Sequence, residues 1–210
     1  MRSHWLTTLG TIAVLTLSSA SAAPVPPDEV VKTTTAQLQQ VIQKRRAEFR
    51  KDPQKLYDVM ETMVVPRFDI KYIAQLILAR NWRGASDQQR GRFEAAFKNM
   101  LIRTYATAMV DNADSVEAEW LPLRMADGDK DVTVDSKLLR PGKPPVPIGF
   151  AMRLTGDDWK IYDIVIENLS LVQNFRSQVS SEIKRSNLDA VIEKLEKGDS
   201  VAASAGKVGS

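Results

Sequence analysis

The sequence lacks the residues on which many enzymes and metal sites depend. Its 210 residues include no cysteine and one histidine, His4. His4 lies in an N-terminal segment that is expected to be removed, so the mature chain has neither an imidazole nor a thiol. This absence excludes Ser-His-Asp and Cys-His catalysis, thiol redox chemistry and the usual zinc sites. Without disulfides, the core alone must hold the fold.

A strong excess of charge and a membrane-spanning run are also missing. There are 29 Lys and Arg residues against 26 Asp and Glu residues, a balance that does not favour nucleic acid as a partner. The longest apolar run, Trp5 to Leu17, is shorter than the ~20 residues that a spanning helix needs. The sequence also has no Gly-rich loop for binding nucleotide. We therefore expect no cofactor, no metal and no catalytic residues.

Residues 1–22 have the layout of a secretory signal peptide. Arg2 precedes the apolar run, and small residues from Ser18 to Ala23 follow it, as at a signal cleavage site. Cleavage is expected after Ala22 or Ala23, which makes the mature protein exported and soluble. The rest is predicted to form a single domain at residues 23–197 and a polar, disordered tail at 198–210.

Four helices are predicted in the N-terminal half from their caps and their apolar periodicity. The first start is marked by the acidic residues Asp28 and Glu29. The others are marked by the capping residues Asp52, Asp69 and Ser86, with proline after Asp52 and a capping box at Ser86. The fourth helix is the longest and carries a regular apolar stripe from Phe93 to Met109. The stripe is typical of ordinary core, and a wall that lines a ligand is the alternative.

The C-terminal half predicts strands and then two helices. Segments near 116–123, 131–139, 146–154 and 159–166 are rich in β-branched and aromatic residues, with turn-forming residues between them. Such a series forms an antiparallel meander. Helices are predicted near 170–184 and 187–197. The fold class is therefore α+β: N-terminal helices, a curved antiparallel four-stranded sheet, and closing C-terminal helices.

Asp163 is the strongest candidate for catalysis because it interrupts an apolar strand. In a cone-shaped pocket it would act as a general base on a small apolar substrate, with Tyr162 or Tyr105 as hydrogen-bond donor. The alternative is a structural aspartate, fixed by backbone amides or an arginine. We favour the structural role, because no second acid or base has a motif around it. A pure interaction module with a filled interior is a third possibility.

Segments in order along nearly all of the mature chain match one family pattern. They are Pro66-x-Phe68-Asp69, Ile73-Ala74, Leu78, Trp82, Ala85-Ser86, Gln89-Arg90, Phe93, Phe97, Leu101, Tyr105, Val132-x-Val134, Trp159 to Ile164, Ser170 to Val172, and Phe175-Arg176. Together they resemble the MlaC family, the toluene-tolerance group of periplasmic phospholipid-binding proteins. Two departures stand out: Ala79 and Asn168 fall where the family usually has glycine. Asn168 tolerates a left-handed turn.

The resemblance implies a periplasmic carrier that holds acyl chains in an apolar cavity between sheet and helices. Such a carrier shuttles phospholipid between an outer-membrane lipoprotein-porin complex and an inner-membrane ABC transporter with an MCE domain, and so maintains outer-membrane lipid asymmetry. The chain is expected to act as a monomer. The lining is expected to come from three helices and two strands: Ile73, Leu76, Ile77, Phe97, Met100, Leu101, Tyr105, Met109, Phe150, Met152, Tyr162, Ile164, Ile166 and Val172.

Overall fold

The computed structural model describes residues 24–114 and 117–199. The predicted signal peptide, and the predicted tail beyond Asp199, lie outside the described residues. In the described part of the chain, no helix is both long and apolar enough to cross a membrane.

Seven α-helices are present in this part of the chain. They are α1 (Pro27–Lys51), α2 (Pro53–Val59), α3 (Ile70–Leu78), α4 (Arg80–Gly84), α5 (Asp87–Asn112), α6 (Leu171–Arg185) and α7 (Leu188–Glu196). After α2 the chain continues as a π-helical segment, Met60–Val64, and a 3-10 turn, Val65–Arg67. Asp69 accepts a 3.0 Å hydrogen bond from the backbone N–H of Tyr72, and Ser86 and Gln89 form the capping box. The predicted starts of α3 and α5 are thus confirmed.

Five strands of the described residues form one antiparallel sheet in sequential order. They are β1 (Glu117–Trp120), β2 (Asp131–Arg140), β3 (Lys143–Thr155), β4 (Asp158–Ile166) and β5 (Leu169–Ser170). The predicted α+β class and meander are confirmed, but the predicted strand count of four is one too low. The chain reverses at Glu167-Asn168, both at positive φ, and pairs β5 with the end of β4. That turn geometry suits a two-residue hairpin.

The two departures from the family pattern lie at backbone positions that favour glycine. Asn168 has a φ of 66° and Ala79 a φ of 49°, in the half of conformational space where glycine has no steric penalty. Asn168 therefore fills the left-handed turn as predicted. Ala79 joins α3 to α4 in a conformation that costs an alanine about 1–3 kcal/mol.

A register irregularity in β4 decides which side chains face the helices. Ala151 pairs with Asp163 while Met152 pairs with Ile161, so Tyr162 is an extra residue between the two pairs. Such a bulge shifts the alternation of faces along the strand. Ile161 and Ile164 consequently face the same side, although strict alternation would place them on opposite sides.

Three apolar clusters hold the fold. The first packs α3, α5, α6 and α7 around Phe93, Phe97 and Phe175. The second joins α1, α2 and the C-terminal half of α5. The third closes one end of the sheet, where Val31 of α1 packs with side chains of β2, β3 and β4, including Val134 and Met152. The described side chains leave the space between the second and third clusters unfilled.

Candidate functional site

A cavity of about 440 Å³ lies between α1, the C-terminal half of α5 and one face of the sheet. This volume is within the range of small-molecule binding sites. Its lining is formed by Val30, Val31, Thr34, Thr35, Leu38, Gln39, Ile42, Val64, Arg67, Phe68, Tyr105, Ala108, Met109, Asn112, Ala113, Ala118, Leu138, Arg140, Val146, Ile148, Phe150, Ile161, Ile164 and Ile166.

The lining is mostly apolar, and some of its few polar groups are already hydrogen-bonded within the protein. Thr34 donates a 2.7 Å hydrogen bond to the carbonyl oxygen of Val30, and the Gln39 amide donates to that of Ala113 at 3.3 Å. Burial raises the pKa of the Tyr105 phenol, so this group stays neutral at physiological pH. None of the described residues in the lining is a carboxylate. Its interior therefore suits hydrocarbon rather than a polar substrate.

The two ends of the cavity differ. At one end the third core cluster closes it, with Met152 and Val134 at 0% and 1% exposure. At the other end β2 and β3 turn at Pro141-Gly142, close to the start of β1. On α5 the lining residue Met109 is 40% exposed, which opens the cavity to solvent. The cavity is thus a trough with a closed end and an open end.

The structure brings five of the fourteen predicted lining residues into this cavity: Tyr105, Met109, Phe150, Ile164 and Ile166. It places the other nine outside the lining. Eight of these belong to the first core cluster or pack against it: Ile73, Leu76, Ile77, Phe97, Met100, Leu101, Tyr162 and Val172. Met152 belongs to the third cluster and forms part of the closed end.

The largest group of lining residues that the sequence did not indicate comes from α1. One face of this helix carries the apolar lining residues Val30, Val31, Leu38 and Ile42. Their spacing is that of an ordinary amphipathic stripe. The only unusual signal is that Thr34, Thr35 and Gln39 adjoin this stripe. Four lining residues of β1 to β3 were also missed, because the alternation along these strands does not indicate which face meets a void: Ala118, Leu138, Val146 and Ile148.

Asp163 has a structural position, and its side chain is absent from the cavity lining. Its carboxylate accepts hydrogen bonds from the Ser170 hydroxyl at 2.5 Å and from the backbone N–H of Val172 at 3.0 Å. The Ser170 oxygen in turn accepts from the N–H of Gln173. Asp163 thus ties β4 to the first turn of α6, where a negative charge is favourable.

The phenol of Tyr162 is also hydrogen-bonded outside the cavity. It donates a 2.8 Å hydrogen bond to Asp131, and burial together with this bond raises its pKa to about 12. Of the residues considered for general-base catalysis, Tyr105 lines the cavity, whereas Asp163 and Tyr162 do not. No observation on the described residues favours the enzyme hypothesis.

Replacing Asp163 with alanine should destabilise the fold by about 2 kcal/mol, because two donors at the start of α6 lose a charged acceptor. Thermal or urea unfolding measures the effect. Glu193→Ala, at an exposed carboxylate on α7, is the matched control and should change stability by less than about 0.5 kcal/mol. Equal stability of Asp163→Ala and the control would contradict the structural role.

An α+β fold that surrounds one apolar trough, with no catalytic group of the described residues directed into it, defines a class of proteins that hold an apolar ligand. The chain belongs to the MlaC protein family, whose sequence model matches residues 32–197. It is similar to a toluene tolerance protein, ttg2D, of Pseudomonas putida, with 23% identity over 90% of this chain and 85% of that protein.

Two further relatives match most of their own length as well. The intermembrane phospholipid transport system binding protein MlaC of Haemophilus influenzae is 20% identical over 93% of each chain. The crystal structure of a phospholipid-binding protein from Ralstonia solanacearum, solved in complex with a phospholipid, superposes with a TM-score of 0.76. It is 28% identical, and the match covers 83% of this chain and 97% of that chain.

Proposed function

We propose that this protein binds a phospholipid, whose acyl chains occupy the cavity between α1, α5 and the sheet. The observation that carries the proposal is the apolar trough itself, about 440 Å³ in volume and without a carboxylate in its lining. The similarity to a protein solved with a phospholipid supports the choice of ligand. The lipid-binding domain would then comprise residues 23–197.

The energetics of such a cavity suit a carrier. Two acyl chains contain about 30 methylene groups, each worth roughly 0.8 kcal/mol on leaving water, or about 24 kcal/mol in total. A bilayer already supplies that stabilisation. The cavity needs only to match the membrane interior and to exclude water, so transfer between membrane and protein is near balance and can run either way.

We further propose that the protein carries phospholipid across the periplasm, between an outer-membrane lipoprotein-porin complex and an inner-membrane ABC transporter with an MCE domain. The predicted signal peptide and the relative from an intermembrane phospholipid transport system support this setting. The sequence has no nucleotide-binding loop. The direction of transport must therefore come from the partners, and the carrier itself acts as a non-enzymatic monomer.

Lipid extraction from the natively purified mature protein tests the ligand class. We expect mass spectrometry of the extract to show phospholipid in an amount comparable to the protein. The same protein, unfolded in guanidinium, washed and refolded without lipid, is the control and should yield none. An extract from the native protein that contains no phospholipid would contradict the proposal.

A further inference from the structure

Two cations face each other at the open end of the cavity. Arg140 ends β2 and Lys143 begins β3, and the two are directly opposite each other across the Pro141-Gly142 turn. Directly opposite residues of an antiparallel pair lie on the same face of the sheet. Arg140 lines the cavity. Lys143 is exposed and is not part of the lining, but this pairing places it beside Arg140 at the rim of the cavity.

Neither cation has a carboxylate partner among the described residues. The Arg140 guanidinium makes one long hydrogen bond, from Nη2 to the carbonyl oxygen of Pro144 at 3.4 Å, and its Nε is buried without an acceptor. Like charges that face each other across two strands destabilise the pairing. A buried donor without an acceptor adds a further cost. An anion between the two side chains would remove both costs.

The nearby acidic side chains of β1 do not supply that anion. Glu117 pairs with Leu139 and Glu119 with Lys137, at positions that alternate with Leu138 and Arg140 and therefore lie on the opposite face. Glu119 also forms an ion pair with Lys137 at 3.2 Å. Both carboxylates are thus separated from the cavity by the sheet.

The other arginine in the lining belongs to a different part of the trough. Arg67 precedes Phe68, which bridges to Ile161 near the closed end. Arg140 lies near the end of the sheet where Ile148 pairs with Ile166. Ile161 and Ile166 are five residues apart on β4, or about 17 Å at roughly 3.3 Å per residue. The two arginines therefore belong to different parts of the trough, and Arg140 is the one that has a second cation beside it.

We propose that Arg140 and Lys143 form an anion subsite that binds the phosphodiester of the lipid whose acyl chains fill the cavity. The inference rests on the proposed phospholipid-binding function and adds to it the group that orients the ligand. A guanidinium presents paired N–H donors that match phosphate oxygens, and the Lys143 ammonium adds a second charge. The acyl chains then point to the closed end, and the rest of the headgroup remains in water.

The test compares two ligands with identical acyl chains, one of which lacks the phosphate. Delipidated protein is incubated with mixed micelles of equal amounts of phosphatidylglycerol and the matching diacylglycerol, then reisolated, and the bound ratio is measured by mass spectrometry. Arg140→Gln should lower the ratio of phospholipid to diacylglycerol by about tenfold, equivalent to ~1.4 kcal/mol. Lys137→Gln removes a charge from the other face of the same strand and should leave the ratio unchanged.

The outcomes distinguish a failure of this subsite from a failure of the proposed function on which it rests. If the wild-type protein takes up neither lipid, the proposed function fails. If it takes up both and Arg140→Gln leaves the ratio unaltered, the subsite is wrong and the function stands. If Arg67→Gln instead of Arg140→Gln lowers the ratio of bound phospholipid to diacylglycerol, the phosphate lies at Arg67 and the assignment is overturned. Arg140→Lys keeps the charge, and an intermediate ratio supports the paired-donor geometry if Arg140→Gln misfolds.

A separate titration distinguishes a lipid headgroup from a free anion. We expect calorimetric titration of the delipidated protein with inorganic phosphate to show no saturable binding, because two surface cations alone hold phosphate weakly in water. Saturable phosphate binding that Arg140→Gln abolishes would identify a free-anion site and contradict the headgroup assignment.

Discussion

Replacing Ala108 with tryptophan should leave the protein folded but with about tenfold less bound phospholipid. Ala108 lies on α5 and lines the cavity, and its position is exposed to solvent, so no packed neighbour has to move. An indole gains by leaving water for an apolar space. It would therefore enter the trough and occupy the volume needed by an acyl chain. Quantitative lipid extraction from the natively purified variant measures the effect.

Ala95→Trp is the matched control for this substitution. Ala95 is another exposed alanine of α5, and it is not part of the cavity lining. The control makes the same change of side chain on the same helix, but on the protein surface, and should retain the wild-type amount of lipid. Wild-type lipid content in Ala108→Trp would show that the ligand lies elsewhere.

Phe97→Ala should have the opposite effect to Ala108→Trp. It should lose much of its stability but keep a normal lipid content in the folded fraction. Phe97 is 1% exposed, stacks on Phe93 at 5.8 Å between ring centroids and meets Phe175 edge-on at 5.0 Å. Removing such a ring leaves a cavity in the core and costs about 3–5 kcal/mol of unfolding free energy. Denaturant unfolding measures this loss.

Met109→Ala, one residue beyond Ala108, is the comparison for stability. Met109 lines the trough and is 40% exposed, so little packed contact is lost and the cost should stay below about 1 kcal/mol. The two variants thus distinguish filled core from open cavity on a single helix. A stable Phe97→Ala protein that has lost its lipid would contradict the assignment of Phe97 to the core and would indicate that Phe97 lines the lipid site.

The element boundaries could be predicted from the sequence because they depend on local chemistry. Asp69 and Ser86 cap α3 and α5 through hydrogen bonds to residues three positions away, and such bonds are readable in the sequence itself. The reversal at Asn168 likewise needs only a residue that tolerates positive φ. The two-residue strand β5 was missed because it is too short to show any periodicity.

The cavity lining could not be predicted in the same way, because it depends on which apolar surfaces remain uncovered. On α5 the sequence stripe is continuous, yet Phe97 and Met100 meet α3, α6 and α7 while Tyr105 and Met109 meet the void. In β4 the bulge at Tyr162 reverses the expected faces, so that Ile161 is in the lining and Tyr162 is outside it. Neither feature has a local sequence signal.

The central claim is that a phospholipid lies in the trough between α1, α5 and the sheet. Native mass spectrometry of the purified wild-type protein, run beside Ala108→Trp, tests it most directly. We predict that the wild-type protein carries added mass equal to a bound phospholipid and that Ala108→Trp has the mass of the bare chain. A wild-type protein with no added mass, or equal lipid mass on both proteins, would contradict the claim.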